Sequence, residues 1–428
     1  MNRLPQAGRR WVPPRPGSKL AVFMSSQLAG TLERRGPSRY RFSYSSEEAP
    51  RLSVSLPPRE QSFKPSESAP FFEGLLPEGA VRRVVAEKLR LSEEDGFGML
   101  DALGADCAGA VVILPAGERP RPRDLGEQQP LATGELVGML EDLPRDPLGI
   151  DLEPDGVRLS LGGVQDKLVL VRLPTGEFAK PRGGEPSTCL LKPGSGRYPG
   201  LVANEAFCME VARSVGADVA DTQVLTVGSF RCLLVDRFDR ARVRSEVVRL
   251  HQEDMCQALG TLPSAKYEAN GGPSAVQVIA LLRRLGTRRT ALDVNAFVRA
   301  LVIDFLLGNS DAHGKNFSLL YAGSGVRLAP LYDIVSTAVY PEVTGRLAMS
   351  IGGEEDPSRV DLASWERLGR EAGLGGVLTR FVRRWSAAVL AGAEECQSRA
   401  RSEGWHDPVI DAIVEVCRDR AGRLTGVR

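Results

Sequence analysis

The spacing of apolar residues changes once along this chain of 428 residues, and this change constrains the fold more than any other feature. After Leu20, segments such as LAVFMSSQLAGTLE and RYRFSYS alternate apolar and polar residues, which is typical of half-buried antiparallel strands. From Leu259 onward, the segments AVQVIALLRRL, LDVNAFVRALVIDFLLGN and VLTRFVRRWSAAVLAGAEE have helical spacing. The sequence therefore predicts an α+β protein in which a strand-rich part precedes a large helical part.

Polar stretches divide the chain into four predicted regions. The first residues are rich in Arg and Pro and predict a flexible basic tail. The run PAGERPRPRDLGEQQP, at 115–130, has too few apolar residues to pack and predicts a connector or exposed loop. The predicted regions are the tail 1–18, an α+β subdomain 19–148, a strand-rich lobe 149–238 and a helical lobe 239–428.

Composition excludes several classes of protein. The formal net charge of +1 gives no overall field that favours nucleic acid or an acidic membrane. Seven scattered cysteines without a CxxC pair, and three histidines, favour reduced buried thiols over a zinc cluster. No apolar run is long enough to cross a bilayer or to form a signal core. These features favour a cytoplasmic protein with no membrane partner.

The segment GNSDAHGKNFS, at 308–318, carries the strongest chemical signal. Asp311 and Asn316 have the D-x-x-x-x-N spacing of a kinase catalytic loop, although Asx residues also bend and cap chains without any catalytic role. Two apolar strands, in NFSLLY and VRLAPLYDI, then lead to a second carboxylate, Asp333. A hairpin that returns this second carboxylate beside the first would give the geometry needed to chelate Mg²⁺. The pattern predicts Asp311 as catalytic base and Asn316 and Asp333 as metal ligands.

Upstream residues could bind the phosphates and base of a nucleotide. The adjacent glycines Gly162 and Gly163 would let backbone N–H groups approach phosphate, although such a pair alone more often forms a hairpin turn. Lys192 ends the apolar run CLL, and Glu205 follows thirteen residues later in a predicted helix, where it could pair with the lysine. The segment 236–238 lies where the strand-rich and helical parts meet, and it predicts a hinge that contacts adenine.

Several motifs resemble those of HipA-like kinases. LSLGGVQDK, LLKP, LLVDRFDR, RLHQEDMCQALG, GNSDAHGKNFSLL and LAPLYDI occur in the order seen in that family, and FFEGLLPEG resembles part of its N-terminal domain. The resemblance spans nearly the whole chain after the tail. It implies a bilobal kinase-like fold, with a β-rich N-terminal lobe, an extra N-terminal subdomain and a mainly α-helical C-terminal lobe.

The resemblance also implies a serine/threonine protein kinase that uses ATP and Mg²⁺. Ser160 matches the serine that family members autophosphorylate, an event that silences the kinase. The implied nucleotide contacts are Gly162, Gly163, Val164, Gln165, Asp166, Lys167, Lys192, Asp236, Arg237, Phe238, His313, Gly314, Lys315, Asn316, Tyr332 and Asp333.

The resemblance implies partners as well. Family members are growth-inhibiting toxins that bind a HipB-like helix-turn-helix antitoxin, which represses their operon, and their protein substrates include aminoacyl-tRNA synthetases. Contact with operator DNA would then be indirect, through the antitoxin. Arg380, Arg383 and Arg384 form a basic helix face. Such a face is usually a solvated surface, and contact with DNA phosphates is the weaker hypothesis.

Alternatives remain open at this point. The HQED segment at 251–254 could be taken for a metal site, but it predicts a helix start and cap. A lipid or small-molecule kinase is possible because D-x-H-x-x-N also resembles the catalytic loop of phosphoinositide kinases. A catalytically inert corepressor that binds a DNA-binding antitoxin is the second alternative, although the intact acids Asp311 and Asp333 argue against it.

Overall fold

The computed structural model describes residues 12–425, apart from 38, 121–127, 147–165, 183, 245, 324 and 344. The chain divides into two compact units. The first unit comprises Met1–Pro193, Thr226–Phe230 and Leu234–Pro263. The second unit comprises Gly194–Leu225, Arg231–Leu233 and Ser264–Arg428.

The alternating segments after Leu20 form an antiparallel sheet in the first unit. Its four strands have the order β3-β2-β1-β4 and are β1 (Lys19–Met24), β2 (Gln27–Arg34), β3 (Tyr40–Tyr44) and β4 (Val111–Pro115). Three helices lie between β3 and β4 in the chain, namely α1 (Pro65–Gly74), α2 (Gly79–Leu89) and α3 (Gly96–Leu103). Phe42 of β3 and Phe72 of α1 are fully buried in the core that the sheet and these helices share.

The remaining elements of the first unit include the strands around the predicted hinge. They are α4 (Thr133–Asp142), β5 (Leu168–Arg172), β6 (Phe178–Ala179), β7 (Cys189–Pro193), β10 (Arg240–Val243), β11 (Glu246–Arg249), β12 (His251–Asp254) and α6 (Met255–Leu259). β5 pairs antiparallel with β6 and with β7, where Leu168 lies opposite Leu191. β10 and β11 form an antiparallel hairpin. The strands β8 (Thr222–Val227) and β9 (Phe230–Asp236) have residues in both units.

Helices are the main secondary structure of the second unit. They are α5 (Leu201–Ser214), α7 (Ala275–Leu285), α8 (Thr290–Leu307), α9 (Leu362–Glu371), α10 (Val377–Ser402) and α11 (Pro408–Thr425), and a hairpin joins β13 (Ser318–Ala322) to β14 (Gly325–Leu328). α8 packs against α7, α10 and α11, which explains why its sequence is apolar on most sides. Trp365 of α9 is fully buried and lies edge-on to Phe305 of α8.

Much of the predicted secondary structure is confirmed. The strands after Leu20 and the long helices α7, α8 and α10 follow the predicted segments, and the chain is an α+β protein. All seven cysteines are buried and free of disulfide bonds, as predicted. Within the described residues, every helix is too short or too polar to cross a membrane.

Candidate functional site

The predicted catalytic loop starts at a glycine that no other residue could replace without strain. Gly308 follows α8 in a left-handed conformation with φ of +83°. A Cβ atom there would lie 2.7 Å from the Ser336 hydroxyl oxygen and 2.9 Å from the Ala338 methyl group. The Gly308 carbonyl accepts hydrogen bonds of 3.0 Å from the backbone N–H groups of Thr337 and Ala338. The loop is therefore fixed at its first residue against the segment 336–338.

A buried carboxyl group supports the loop from the last turn of α8. The side-chain amide of Asn309 donates a 2.8 Å hydrogen bond to Asp304, and its carbonyl oxygen accepts a 3.1 Å bond from the backbone N–H of Asp311. Burial raises the pKa of Asp304 to about 7, and the hydrogen bond from Asn309 opposes this effect. Asn309 thus connects a buried acid to the backbone of the predicted base.

The Asp311 side chain is exposed and contacts an aromatic residue from another part of the unit. The hydroxyl of Tyr267 donates a 2.6 Å hydrogen bond to Asp311 Oδ1. The Tyr267 ring also lies edge-on to the imidazole of His313, with ring centroids 5.3 Å apart. His313 itself is buried. Asp311, His313 and Tyr267 therefore form one contiguous group.

The hairpin brings the second carboxylate to the loop, as the sequence predicts. β13 and β14 pair antiparallel, and the chain then returns to form a parallel bridge between Leu331 and Val219. Two residues beyond this bridge, Asp333 Oδ2 accepts a 3.0 Å hydrogen bond from the side-chain amide of Asn316. The two predicted metal ligands are thus neighbours.

Asp333 has an unusual backbone conformation that its surroundings maintain. Its φ of +60° is in the left-handed region, which costs a residue with a Cβ atom about 1 kcal/mol or more. The preceding residue, Tyr332, donates a 2.7 Å hydrogen bond from its hydroxyl to the Lys315 carbonyl oxygen. The Ser318 hydroxyl lies 2.7 Å from the same tyrosine oxygen. These contacts tie the residue before Asp333 to the loop.

The pair of Asn316 and Asp333 fits a divalent cation. Asn316 is buried, and its side-chain oxygen has no hydrogen-bond partner among the described residues. A buried carbonyl oxygen without a partner is costly, and amide and carboxylate oxygens are the ligands that Mg²⁺ accepts. The described residues contain no cluster of three or more His, Cys, Asp or Glu side chains that could hold a metal. Mg²⁺ commonly takes one or two protein ligands and completes its coordination with phosphate oxygens and water, which suits a pair of this kind.

The predicted phosphate-binding loop falls mostly outside the described residues. Ser160 and the run Gly162, Gly163, Val164 and Gln165 all belong to the segment 147–165. Asp166 is exposed, and the buried Lys167 directly precedes β5. Their contact with a nucleotide stays a prediction.

The predicted pair of Lys192 and Glu205 is divided between the two units. Lys192 is 7% exposed and lies in β7 of the first unit. Glu205 is 2% exposed and lies in α5 of the second unit. Both are therefore buried ionisable groups, and their ion pair stays a prediction.

The segment 236–238 contains one residue whose side chain is fully engaged elsewhere. Asp236 forms a 3.4 Å ion pair with Arg172. The Arg237 guanidinium group is buried and donates hydrogen bonds to Asp239, to the Ser187 hydroxyl and to the Cys107 carbonyl oxygen. The guanidinium group of Arg237 therefore binds protein groups in the interior. A contact between the segment 236–238 and adenine stays a prediction.

Arg237 belongs to a buried cluster of five charged side chains that we call the arginine–aspartate cluster. Its members are Asp106, Arg237, Asp239, Arg240 and Arg249. Asp106 lies 2.9 Å from Arg240 and 3.0 Å from Arg249. Burial acts to raise the pKa of Asp239, but the positive charges of Arg237 and Arg240 outweigh it and hold this pKa below its ordinary value. Burial and the charge of Arg237 lower the pKa of Arg240 to about 10.

Two further predicted segments can be compared with the structure. The HQED segment forms the strand β12, and its last residue, Asp254, caps α6 by accepting a 2.8 Å hydrogen bond from the backbone N–H of Gln257, so the predicted cap is confirmed while the helix itself begins at Met255. Arg380, Arg383 and Arg384 are exposed on α10, as expected of a solvated face. Their contact with DNA stays a prediction.

Sequence reasoning missed Tyr267. It lies 44 residues before Asp311, in the polar stretch AKYEANGGP between two helices, so no spacing connects it to the catalytic loop. The one signal in the sequence was that Tyr267 is the only aromatic residue in a polar segment that also contains a glycine pair.

Two family models match the chain. Residues 20–114 match the HipA N-terminal domain. Residues 159–398, more than half of the chain, match the HipA-like C-terminal domain.

Individual proteins are similar over most of their length. The chain is 43% identical to the Sinorhizobium fredii protein Y4mE over 77% of this chain and 78% of that protein. It is 34% identical to the serine/threonine-protein kinase toxin HipA of Shewanella oneidensis over 68% of each chain. Among solved structures, it resembles HipA of Shewanella oneidensis MR-1 in complex with HipB and operator DNA, with a TM-score of 0.77 and 27% identity over 95% of this chain and 96% of that chain. This likeness confirms the predicted α+β kinase-like fold.

Proposed function

The chain belongs to the HipA family, and from this premise we propose that it is a protein serine/threonine kinase that transfers the γ-phosphate of ATP to a hydroxyl group. One observation carries the proposal. The side-chain amide of Asn316 donates a hydrogen bond to Asp333, and the side-chain oxygen of Asn316 has no hydrogen-bond partner among the described residues. Asn316 follows Asp311 by only five residues. Phosphoryl transfer needs a carboxylate such as Asp311 close to oxygen ligands for Mg²⁺.

Asp311 is the proposed catalytic base. Its carboxylate is exposed at the loop, where a substrate hydroxyl can reach it, and its backbone N–H is held by Asn309. In this role Asp311 orients the serine or threonine hydroxyl and accepts its proton. Little covalent chemistry is required of the protein, so positioning provides much of the rate.

Asn316 and Asp333 are the proposed Mg²⁺ ligands. When bound there, Mg²⁺ would neutralise charge on the phosphate oxygens. Asn316 presents its oxygen because its amide nitrogen is already bonded to Asp333, and the left-handed backbone of Asp333 directs that carboxylate to the loop. Tyr332 supports this arrangement through the Lys315 carbonyl oxygen.

The nucleotide site proper is proposed from the family motifs. The proposed contacts are Gly162, Gly163, Val164, Gln165, Asp166, Lys167, Lys192, the backbone of 236–238, His313, Gly314, Lys315 and Tyr332. Lys192, paired with Glu205, is proposed to contact the phosphates. Ser160 is the proposed autophosphorylation site. The regions 1–18, 19–148, 149–238 and 239–428 stay the proposed domain limits.

The biological role proposed is that of a cytoplasmic, growth-inhibiting toxin. The support is the similarity to a protein named serine/threonine-protein kinase toxin HipA and the structural likeness to HipA in a complex with HipB and operator DNA. We propose a HipB-like helix-turn-helix antitoxin as partner, with DNA contact made through that partner. The proposed substrate is a protein of the translation machinery, such as an aminoacyl-tRNA synthetase.

The decisive experiment compares Asp311→Asn with the wild type. The purified proteins are incubated with γ-labelled ATP, Mg²⁺ and a cell lysate, and label is measured separately in protein, lipid and metabolite fractions. We expect label in protein for the wild type and none for Asp311→Asn. The matched control is Asp419→Asn, which removes an exposed acid of α11 and should transfer phosphate at the wild-type rate.

Other outcomes would replace the proposal. Wild-type incorporation by Asp311→Asn would show that another group is the base. Label in lipid or metabolites, but not in protein, would favour a small-molecule kinase. A wild-type protein that incorporates no label and binds no ATP by calorimetry would favour the catalytically inert corepressor that binds an antitoxin.

A further inference from the structure

The hydrogen bond between Tyr267 and Asp311 has no role in the function proposed above. The tyrosine hydroxyl must be the donor, because an ionised carboxylate can only accept. The oxygen–oxygen distance of 2.6 Å is in the range of charge-assisted O–H···O⁻ bonds, which are stronger than bonds between neutral groups. A bond of this kind restricts the carboxylate of the proposed base.

The turn that carries Tyr267 is tight. The Tyr267 carbonyl oxygen accepts hydrogen bonds of 2.9 Å from the backbone N–H groups of both Asn270 and Gly272. A Cβ atom on Gly272 would lie 2.2 Å from the Ala265 carbonyl oxygen, so the turn can close only with glycine at this position. The backbone of Tyr267 is therefore fixed within the turn.

One segment anchors both Tyr267 and the loop that carries Asp311. Glu268 accepts a 2.6 Å hydrogen bond from the backbone N–H of Ser350 and a 3.0 Å bond from its hydroxyl. The backbone N–H of Glu268 donates to the Ala348 carbonyl oxygen at 2.9 Å. The backbone N–H of Ala348 donates in turn to the carbonyl oxygen of Ser310, also at 2.9 Å. Residues 348–350 thus connect the residue after Tyr267 to the residue before Asp311.

The ring of Tyr267 is also restrained by its neighbours. The imidazole of His313 lies edge-on to it at an interplanar angle of 82°. The Lys266 ammonium nitrogen lies 5.7 Å from the ring centroid, within the range of a cation–π contact. The hydroxyl therefore reaches Asp311 from a ring that contacts both His313 and Lys266.

We propose that Tyr267 is a positioning residue that holds the Asp311 carboxylate in the orientation in which it accepts the proton of the substrate hydroxyl. This inference rests on the proposed kinase function. Small errors in the orientation of a catalytic group reduce rates strongly, so a strong bond between rigidly held partners raises the rate of transfer. The alternative is that Tyr267 blocks Asp311 and moves away before catalysis. The hydrogen bonds to residues 348–350 argue against this alternative, because they would have to break for the turn that carries Tyr267 to move.

The test compares Tyr267→Phe with the wild type, because this change removes the hydroxyl and keeps the ring. The rate of label transfer from γ-labelled ATP to the chain itself is measured over a range of ATP concentrations with saturating Mg²⁺. We expect the maximal rate to fall about ten-fold or more, the loss typical of a bond to a charged group. The ATP concentration at half-maximal rate and the thermal unfolding midpoint should be unchanged. A general structural defect would instead change the unfolding midpoint or the half-saturating ATP concentration together with the maximal rate.

Two further variants complete the test. Tyr340→Phe is the matched control, since its hydroxyl bonds to the Pro199 carbonyl oxygen and to Asn204 and not to Asp311, and it should keep the wild-type rate. Ser350→Ala removes one of the two bonds to Glu268 and should cause a smaller loss in the same direction as Tyr267→Phe. This variant leaves Tyr267 itself intact, so it tests the inference even if Tyr267→Phe folds poorly.

The possible failures are distinct. A Tyr267→Phe protein that is folded and transfers label at the wild-type rate overturns the inference and leaves the kinase function standing. A faster rate also overturns it and would identify Tyr267 as a block on the base. If the wild type transfers no label to any protein, the proposed function fails, and the inference fails with it.

Discussion

Replacing Asp304 by Asn should stabilise the second unit relative to the wild type, and by more at alkaline pH than at acidic pH. Asp304 is 6% exposed in the last turn of α8, and its carboxyl oxygen accepts the hydrogen bond from Asn309. Asparagine keeps an oxygen for this bond and cannot ionise. The variant therefore removes the charge and preserves the contact that supports Asp311.

The expected magnitude follows from the pKa of Asp304. Burial raises this pKa from 3.8 to about 7, so the folded protein retains a proton that the unfolded chain loses. The stability that Asp304 contributes is therefore greatest below pH 4 and falls as pH rises towards 7, by about 1.4 kcal/mol for each pH unit. Between pH 5 and pH 8 the wild type should lose about 3 kcal/mol from this group, and Asp304→Asn should lose none of it.

The assay is urea unfolding followed by tryptophan fluorescence at pH 5 and pH 8. Trp365, Trp385 and Trp405 belong to the second unit, which also contains Asp304. The measured quantity is the difference in free energy of unfolding between variant and wild type, because all other titrating groups are common to both. This difference should increase by about 3 kcal/mol from pH 5 to pH 8. An equal difference at both pH values would refute the buried-acid argument.

Three further predictions test the loop, the metal ligands and the arginine–aspartate cluster. Gly308→Ala should lower the free energy of unfolding by at least about 1 kcal/mol, because the left-handed backbone and the contacts with Ser336 and Ala338 both oppose a Cβ atom; an unchanged urea midpoint would contradict this. Asn316→Ala should raise the Mg²⁺ concentration needed for half-maximal transfer of label from ATP, and a Mg²⁺ titration that matches the wild type would remove Asn316 from the metal ligands. Asp106→Asn should destabilise the first unit by about 3–5 kcal/mol, because three arginines would share one carboxylate; hydrogen exchange at β10 and β11 measures this, and wild-type protection would show that the cluster contributes little.

The fold was predictable where apolar spacing was long and regular. α8 is recognisable because eighteen residues of helical spacing end at a glycine, which is the usual stop signal. α1 was not predicted, since Pro65 and Pro70 interrupt its short sequence and suggest a loop. This helix forms because Phe71 and Phe72 are fully buried, a tertiary contact that no local pattern reports.

The candidate site was predictable where its residues lie close in sequence. Asp311 and Asn316 share one loop, and the strands after them indicate that Asp333 returns to it. The Tyr267 contact could not be predicted, because it joins residues that are distant in sequence and ordinary in type. The same holds for the whole arginine–aspartate cluster, in which a short run of neighbouring charged residues meets others that lie far away in the sequence. The sequence around Asp239 suggests a solvated strand end with arginine partners; neighbouring arginines do pair with it, but the residue is only 1% exposed.

The arginine–aspartate cluster has a practical consequence for truncation. Asp106 lies in the stretch that matches the HipA N-terminal domain, whereas Arg237, Arg240 and Arg249 lie in the stretch that matches the HipA-like C-terminal domain. A fragment that starts after residue 114 would keep the three guanidinium groups and lose half of the negative charge that compensates them. Such a fragment should misfold or aggregate, so the regions 20–114 and 159–398 have to be expressed together as one chain.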